Sequence, residues 1–215
     1  MNELSQNLMF IGTGIQLTLG LLLGGLAIGI VSGTLIAVLR YNNIAGYITN
    51  PFVSVIRGTP LILQLSFVYF AIPGLLGFKP GILVAGIITF GLNSAAYISE
   101  ILRSGIESLP KGQFEAASTL NIPTWYLWKD IILPQVLKNI FPALVNEVIA
   151  LLKETALIST IGGMDVMRKS QSIAAEQFTY FLPLCIAGCY YYAFVLLVEY
   201  CGKRIEKGEY FVNHS

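Results

Sequence analysis

The polar residues that could do chemistry in this chain lie inside stretches that are otherwise apolar. Asn93, Tyr97 and Glu100 follow the spacing i, i+4 and i+7, so a helix would carry them on one face, with Ser94 beside them. Polar side chains in a membrane helix usually face a bundle interior or a water-filled path. The stretch therefore predicts contacts with a polar solute, although hydrogen bonds between neighbouring helices would use the same residue types.

Two other stretches add polar groups of the same kind. Thr59 lies in "GTP", a sequence that would break a helix, and Gln64 follows further along the chain. Irregular backbone inside a membrane is tolerated only where it is buried or lines a cavity, so this break is expected to face a path. A later stretch supplies charged and hydroxyl groups: Lys153, Glu154, Thr155 and Ser159. Lys153 could instead form an ion pair with Glu154 or Glu147.

The composition identifies the kind of element that must hold these residues. The chain has 215 residues, of which 55% are hydrophobic and 12% are charged, about half the charged fraction of a soluble domain. It is therefore expected to be an integral membrane protein with one membrane domain, residues 1–215. The only histidine, His214, lies in the terminal tail, and three cysteines are expected to be small buried hydrophobes rather than disulfides or metal ligands: Cys185, Cys189 and Cys201.

Five spans are predicted, because a helix needs about 20 apolar residues to cross the hydrocarbon core. They run approximately over residues 12–39, 60–76, 81–101, 134–157 and 178–198. The fourth is the least apolar, since it contains Lys138, Glu147, Lys153 and Glu154. The first has no basic segment before it and no A-x-A-like cleavage site after it, so it is interpreted as an uncleaved span.

Basic residues set the expected orientation of the spans. With the N-terminus outside and the C-terminus inside, only Lys79, Arg168 and Lys169 face outward. Nine basic residues then face inward, which satisfies the positive-inside rule: Arg40, Arg57, Arg103, Lys111, Lys129, Lys138, Lys203, Arg204 and Lys207. Without the fourth span, the last three would face outward, so the charge distribution requires it.

The first span also carries a stripe of glycines at overlapping G-x-x-x-G spacings: Gly20, Gly24, Gly25, Gly29 and Gly33. Small residues at this spacing allow helices to approach closely in lipid. The stripe is expected to form a packing face within the chain or, alternatively, a dimer face.

Residues 111–133 are too polar for the bilayer and are predicted to form a helical hairpin on the inner side. "PKGQFEAASTL" begins a helix, and "NIP" ends it, because Asn121 tolerates a left-handed conformation and Pro123 cannot continue a helix. Thr124 is a candidate N-cap for a second short helix. The hairpin could be a loop that lies on the membrane or a projection that fits a groove in a partner.

These residues resemble a cytoplasmic motif of bacterial ABC importers. The motif begins with E-A-A, continues with any three residues and a Gly, and ends with I-x-L-P after nine further residues. The chain has "EAA" at 115–117, "STL", Asn121, nine residues, and "IILP" ending at Pro134. It departs from the motif by Asn121 in place of Gly, and Asn is the best other residue for a left-handed turn. "VIRGTPLILQLSFVYF", "NSAAYISEILRSGIESLPKGQFEAA" and "LLKETALISTIGG" resemble the polar amino acid permeases of this class.

The resemblance implies an all-α membrane permease of the type I ABC importer kind, in the bacterial cytoplasmic (inner) membrane, with an amino acid substrate that is polar and could be cationic. The hairpin would form coupling helices that dock on a separate ATPase through Glu115, Ala116, Ala117 and Asn121. A second copy or a similar permease would complete the pathway, and an external binding protein would deliver substrate near Lys79 and residues 162–177. The chain has no phosphate-binding loop, so ATP and Mg would be held by the partner, with no cofactor on this chain.

Other functions fit the sequence less well. A membrane enzyme would need convergent catalytic groups, and the spans have no histidine and no G-x-S-x-G motif. A scaffold or assembly protein would explain the hairpin but not the polar residues inside the spans. A secondary transporter would be expected to show an inverted repeat. The alternatives that stay open are the scaffold or assembly protein and an ABC permease for another small solute.

Overall fold

The computed structural model describes residues 3–42 and 44–208, so His214 lies outside the described residues. Every regular element within these ranges is helical, which confirms the all-α prediction. In chain order the α-helices are α1 (Glu3–Gly12), α2 (Ile15–Tyr41), α3 (Gly46–Gly58), α4 (Leu61–Ser66), α5 (Ile72–Leu76), α6 (Ile82–Glu107), α7 (Lys111–Thr119), α8 (Thr124–Tyr126), α9 (Leu133–Glu154), α10 (Val166–Glu176) and α11 (Phe181–Lys207). Short π-helical segments join α4 to α5 and α8 to α9, and a 3₁₀ segment, Thr155–Ile161, follows α9.

Three helical stretches in the described residues are long and apolar enough to cross a membrane. They are Glu3–Tyr41, Ile82–Glu107 and Phe181–Glu206, and a bent pair, Gly46–Gly58 with Leu61–Leu75, makes a fourth candidate. Helix α9 has 22 residues, or about 33 Å at 1.5 Å per residue, but its polar side chains keep it outside this group. The fourth predicted span is therefore long enough to cross and unusually polar.

The glycine stripe of α2 packs against α6 within the chain. Gly25, Gly29 and Gly33 are buried, and a Cβ atom built on them would meet Phe90, Ser94 and the carbonyl of Ala95, respectively. Gly20 and Gly24 face Leu83 and Ile87 of the same helix. This contact accounts for the stripe, since small residues let two helix backbones approach closely.

The "GTP" stretch breaks the helix as predicted, because Thr59 is extended (φ −117°, ψ 146°) between α3 and α4. The chain bends by 106° between Gly46–Gly58 and Leu61–Leu75. The Gln64 side-chain amide covers the break by donating to the carbonyl of Ile56 at 2.8 Å and to Thr59 Oγ1 at 2.9 Å.

The hairpin turns where the sequence indicates. Asn121 has φ 52°, which confirms the left-handed conformation, and the Ile122 N–H donates to the carbonyl of Ala117 at 2.9 Å. The prediction of Thr124 as N-cap is wrong: Pro123 occupies the N-cap position, and Thr124 is the first helical residue, without a capping bond. The hairpin packs on α9 through a buried cluster that includes Ala117, Leu127 and Ile132. We call the end of the bundle that carries it the hairpin end.

The opposite end is held together by α1, α10 and α11. Asp165 caps α10 by accepting from the Arg168 N–H at 2.8 Å and also accepts from the Tyr191 hydroxyl at 3.0 Å. Burial raises the pKa of the Asp165 carboxyl. On α11 the three cysteines are free thiols and are exposed on the surface of the single chain, so the prediction that they are buried is wrong.

Candidate translocation site

Helices α6 and α9 bring together two polar pairs in the middle of the bundle. Asn93 donates from Nδ2 to Glu154 Oε2 at 3.4 Å, and Ser94 donates from Oγ to Glu147 Oε1 at 2.8 Å. Glu147 and Glu154 lie seven residues apart, which is two helical turns, so they share the face of α9 that looks at α6. Asn93, Ser94 and Glu147 are all buried. The site thus presents carboxylate, amide and hydroxyl groups in an apolar setting.

The neighbouring predicted residues behave differently. Thr155 and Ser159 are buried, but their hydroxyls donate to backbone carbonyls three residues earlier, Leu152 at 2.6 Å and Ala156 at 2.7 Å. Lys153 is exposed, and within residues 3–42 and 44–208 it makes no ion pair with Glu147 or Glu154. The interpretation of Lys153 as an ion-pair partner of these acids is therefore wrong for this structure.

Thr59 and Gln64 line a separate, mainly apolar cavity of about 330 Å³. Thr89 and Leu92 of α6, which lie four residues and one residue before Asn93, also line this cavity. Thr59 and Gln64 bond to each other and to α3 rather than to Asn93 or Glu154. The structure therefore places them beside the central pairs without joining them to these pairs.

Glu100 and Tyr97 lie nearer the hairpin end, among arginines. Glu100 pairs with Arg40, with Arg57 at 3.3 Å and with Arg103 at 2.9 Å. The Arg57 guanidinium also lies over the Tyr97 ring, 5.2 Å from its centroid. In the sequence these arginines predict only the orientation of the spans, and the one local sign of the cluster is the i, i+3 spacing of Glu100 and Arg103.

The motif residues of the hairpin divide between surface and core. Glu115, Ala116 and Asn121 are exposed, whereas Ala117 is only 3% exposed and packs inside the hairpin. Leu120, Trp125 and Tyr126 add exposed apolar area. Trp128 instead packs inward, with its ring in edge contact with those of Tyr41 and Phe114. The hairpin thus exposes apolar area together with two acidic side chains, Glu115 and Asp130.

The described residues contain no group of three or more His, Cys, Asp or Glu side chains arranged to hold a metal ion.

A bundle of apolar helices with a broken helix and an exposed hairpin is the arrangement expected of a membrane transport permease. Residues 25–208 match the family described as "binding-protein-dependent transport system inner membrane component". The chain belongs to this family and is a transport component rather than an enzyme.

Individual relatives are similar over nearly the whole chain. The putative glutamine transport system permease protein GlnP of Rickettsia typhi is 46% identical over 202 residues, covering 93% of each chain. The arginine transport system permease protein ArtQ of Bacillus subtilis is 43% identical over 200 residues, covering 92% of this chain and 91% of that protein.

Two solved structures share the fold. A crystal structure of an amino acid ABC transporter with histidines matches with a TM-score of 0.87 and 33% identity, over 96% of this chain and 98% of that one. The MetNI methionine ABC transporter in inward-facing form matches with a TM-score of 0.72 at 19% identity, over 96% and 98% of the two chains. The chain therefore has the all-helical type I ABC permease fold.

Proposed function

We propose that this chain is the permease subunit of an ATP-driven importer for polar amino acids and that substrate contacts the two polar pairs between α6 and α9. The observation that carries this proposal is the placement of Asn93, Ser94, Glu147 and Glu154 on facing sides of two helices in an apolar bundle. Polar groups inside membrane spans are costly and usually face a bundle interior or a water-filled path. Relatives named as a putative glutamine transport permease and an arginine transport permease support the substrate class.

The chemistry of the pairs matches a free amino acid. The substrate's ammonium group needs acceptors, which Glu147 and Glu154 supply. Its carboxylate needs donors, which the Asn93 amide and the Ser94 hydroxyl supply. Two carboxylates in one site favour a polar side chain that is neutral or positively charged over an acidic one, because a third negative charge would be repelled in this setting. The other residues of the proposed path are Thr59, Gln64, Tyr97, Glu100, Lys153, Thr155 and Ser159.

The finer topology belongs to the same proposal. Helix α9 serves as the fourth of five spans, with the N-terminus outside and the C-terminus inside, in the bacterial cytoplasmic membrane. This orientation puts Arg40, Arg57 and Arg103 on the inner side, in agreement with the positive-inside rule. The outer segments around Lys79 and α10 then face an extracytoplasmic amino acid-binding protein.

Coupling to ATP takes place through the hairpin. Glu115, Ala116 and Asn121 lie on its surface and would contact an ABC ATPase dimer, while Ala117 supports them from below. ATP and Mg are held by that partner. A second copy of this chain or a homologous permease completes the pathway, and closure of the ATPase pair switches the bundle between inward-open and outward-open forms.

The test is uptake in vesicles that contain the purified complex of permease, ATPase and binding protein. The complex should accumulate polar amino acids only with ATP, and Asn93→Ala and Glu154→Gln should each reduce uptake at unchanged amounts of complex. Asn146→Ala is the matched control, since Asn146 is exposed on α9 and lines a cavity with α11 instead of α6. Normal uptake in both site variants would place the substrate elsewhere, and uptake of only non-amino-acid solutes would change the substrate class.

A second experiment tests the hairpin. Glu115→Lys reverses the charge of the exposed acidic residue in the E-A-A sequence and should lower substrate-stimulated ATP hydrolysis while the permease still inserts in the membrane. Unchanged coupling would argue for the scaffold function or for a hairpin that only lies on the membrane.

A further inference from the structure

The acidic side chain of Glu100 is surrounded by arginines from three helices, a set that we call the Glu100 cluster. Arg40 comes from the last turn of α2, Arg57 from the last turn of α3, and Arg103 from the next turn of α6. The Glu100 side chain is only 16% exposed, and both of its carboxylate oxygens accept from arginines. Three positive charges therefore converge on one carboxylate.

The cluster fixes α3 across the hairpin end at two points. Near its beginning, Asn50 accepts from Arg40 Nε at 2.8 Å, and near its end, Arg57 binds Glu100. The chain then breaks at Thr59 and turns by 106° into α4. Arg57, which is held by Glu100, lies two residues before this break.

The same cluster lies close to the root of the hairpin. Arg103 also binds Glu107 at 2.5 Å, and Glu107 is the last residue of α6, four residues before α7 begins. A displacement of the hairpin that tilts α6 would move Glu100, and Glu100 would carry Arg57 and the end of α3 with it.

We propose that Glu100 is a positioning residue that transmits movement of the hairpin, through Arg57, to the break between α3 and α4. This inference rests on the proposed importer function and refines it: within the proposed path, Glu100 positions α3 instead of contacting the substrate. The pairs at Asn93 and Ser94 bind the solute, and the Glu100 cluster makes the path respond to the hairpin.

Glu107 provides a matched control for Glu100. It lies on the same helix and binds the same arginine, but its side chain is 61% exposed and contacts neither α2 nor α3 through an ion pair. Exposed ion pairs contribute little, whereas removal of a shielded acid leaves its partner charges close together and unneutralised. Glu100→Gln should therefore disturb the end of α3, and Glu107→Gln should not.

The first measurement is hydrogen exchange of the α3 amides in the purified complex, which needs no transport. Glu100→Gln should increase exchange in α3 and at the break, while Glu107→Gln and wild type should be alike. Equal exchange in all three proteins would overturn the proposal. If Glu100→Gln does not assemble, α3 exchange is compared in Arg57→Gln, Glu100→Asp and wild type instead. Arg57→Gln should exchange faster than wild type in α3, and Glu100→Asp should lie between the two.

The second measurement is the amount of amino acid taken up per ATP hydrolysed. Glu100→Gln should lower this ratio about tenfold, within the range typical of conformational coupling between sites, with little change in the half-saturating substrate concentration. A higher half-saturating concentration with unchanged α3 exchange would show that Glu100 contacts substrate, and would overturn the positioning role. If wild-type complex takes up no amino acid, the proposed function fails, and the exchange experiment still decides whether Glu100 positions α3.

Discussion

The contact between α2 and α6 can be tested by adding one methyl group at Gly33. A Cβ atom there would lie 2.8 Å from the backbone oxygen of Ala95 and 2.9 Å from Ile98 Cβ. Ordinary contacts begin near 3.4 Å, so the two helices would have to separate by about 0.6 Å, the difference between 3.4 and 2.8 Å. Neither atom is the end of a flexible side chain, so the strain cannot be relieved by rotating one.

Overpacking of this kind costs about 1–3 kcal/mol, and the better helix propensity of Ala returns up to about 1 kcal/mol. Gly20→Ala is the control, because its Cβ would lie 3.6 Å from Leu83 Cδ1, an ordinary contact on the same pair of helices. Gly20→Ala should therefore be neutral or stabilising, and Gly33→Ala should be about 1–3 kcal/mol less stable than Gly20→Ala, because both variants gain the same helix propensity.

Thermal unfolding of the purified protein in detergent measures the difference. For a chain of this size, 1 kcal/mol corresponds to about 2–4 °C, so Gly33→Ala should melt several degrees below Gly20→Ala. Equal melting temperatures for the two variants would show that the helices separate freely, and that the stripe does not hold α2 against α6 as closely as the structure indicates.

Three further predictions concern single positions outside this contact. Asn121→Gly should be tolerated, with stability equal to wild type or slightly higher, because Asn121 has φ 52° and glycine adopts this left-handed conformation readily. Loss of the ATPase from the purified complex would instead show that the Asn side chain itself is used. Phe178→Gly should raise the free energy of unfolding by about 1 kcal/mol. Phe178 has φ 52°, so glycine would relieve backbone strain, and its side chain is 94% exposed, so little packing would be lost. A lower melting temperature for this variant would contradict the prediction. Burial raises the pKa of Asp165 above its unfolded value, so the ionised form is disfavoured on folding, and wild type should gain stability as pH falls through that raised pKa. Asp165→Asn keeps an acceptor for the Arg168 N–H and should flatten this pH dependence of the melting temperature, whereas an unchanged slope would assign it to other groups.

Features with a local cause could be predicted from the sequence. The break at Thr59 and the left-handed turn at Asn121 follow from residue types with restricted or permissive backbones, and both are present. Thr124 was misplaced by one residue, because the extended Pro123 takes the N-cap position itself. Phe178 carried no signal, since nothing in its type predicts a left-handed conformation.

Contacts that depend on how helices far apart in the sequence align against each other could not be predicted. The Glu100 cluster forms only because α3 lies across the hairpin end. The position of α3 in turn depends on the break at Thr59 and on how α2 is aligned along α6. The pairing of Ser94 with Glu147 was missed for the same reason, although the seven-residue spacing of Glu147 and Glu154 was a usable signal. Glu147 was considered only as an ion-pair partner of Lys153.

The polarity that makes α9 the least apolar of the proposed spans also sets its register. Four side chains of α9 form hydrogen bonds, in antiparallel order, with the hairpin, with the residue that follows α6, and with α6 itself. The pairs are Gln135 with Gln113, Asn139 with Ser108, Glu147 with Ser94, and Glu154 with Asn93. Because the same two helices carry the hairpin at one end and the central pairs further along, a displacement of the hairpin cannot leave Asn93 and Glu154 in place unless this series of bonds breaks. The residues that would have argued against a membrane span are thus the ones that connect the proposed coupling surface to the proposed substrate site.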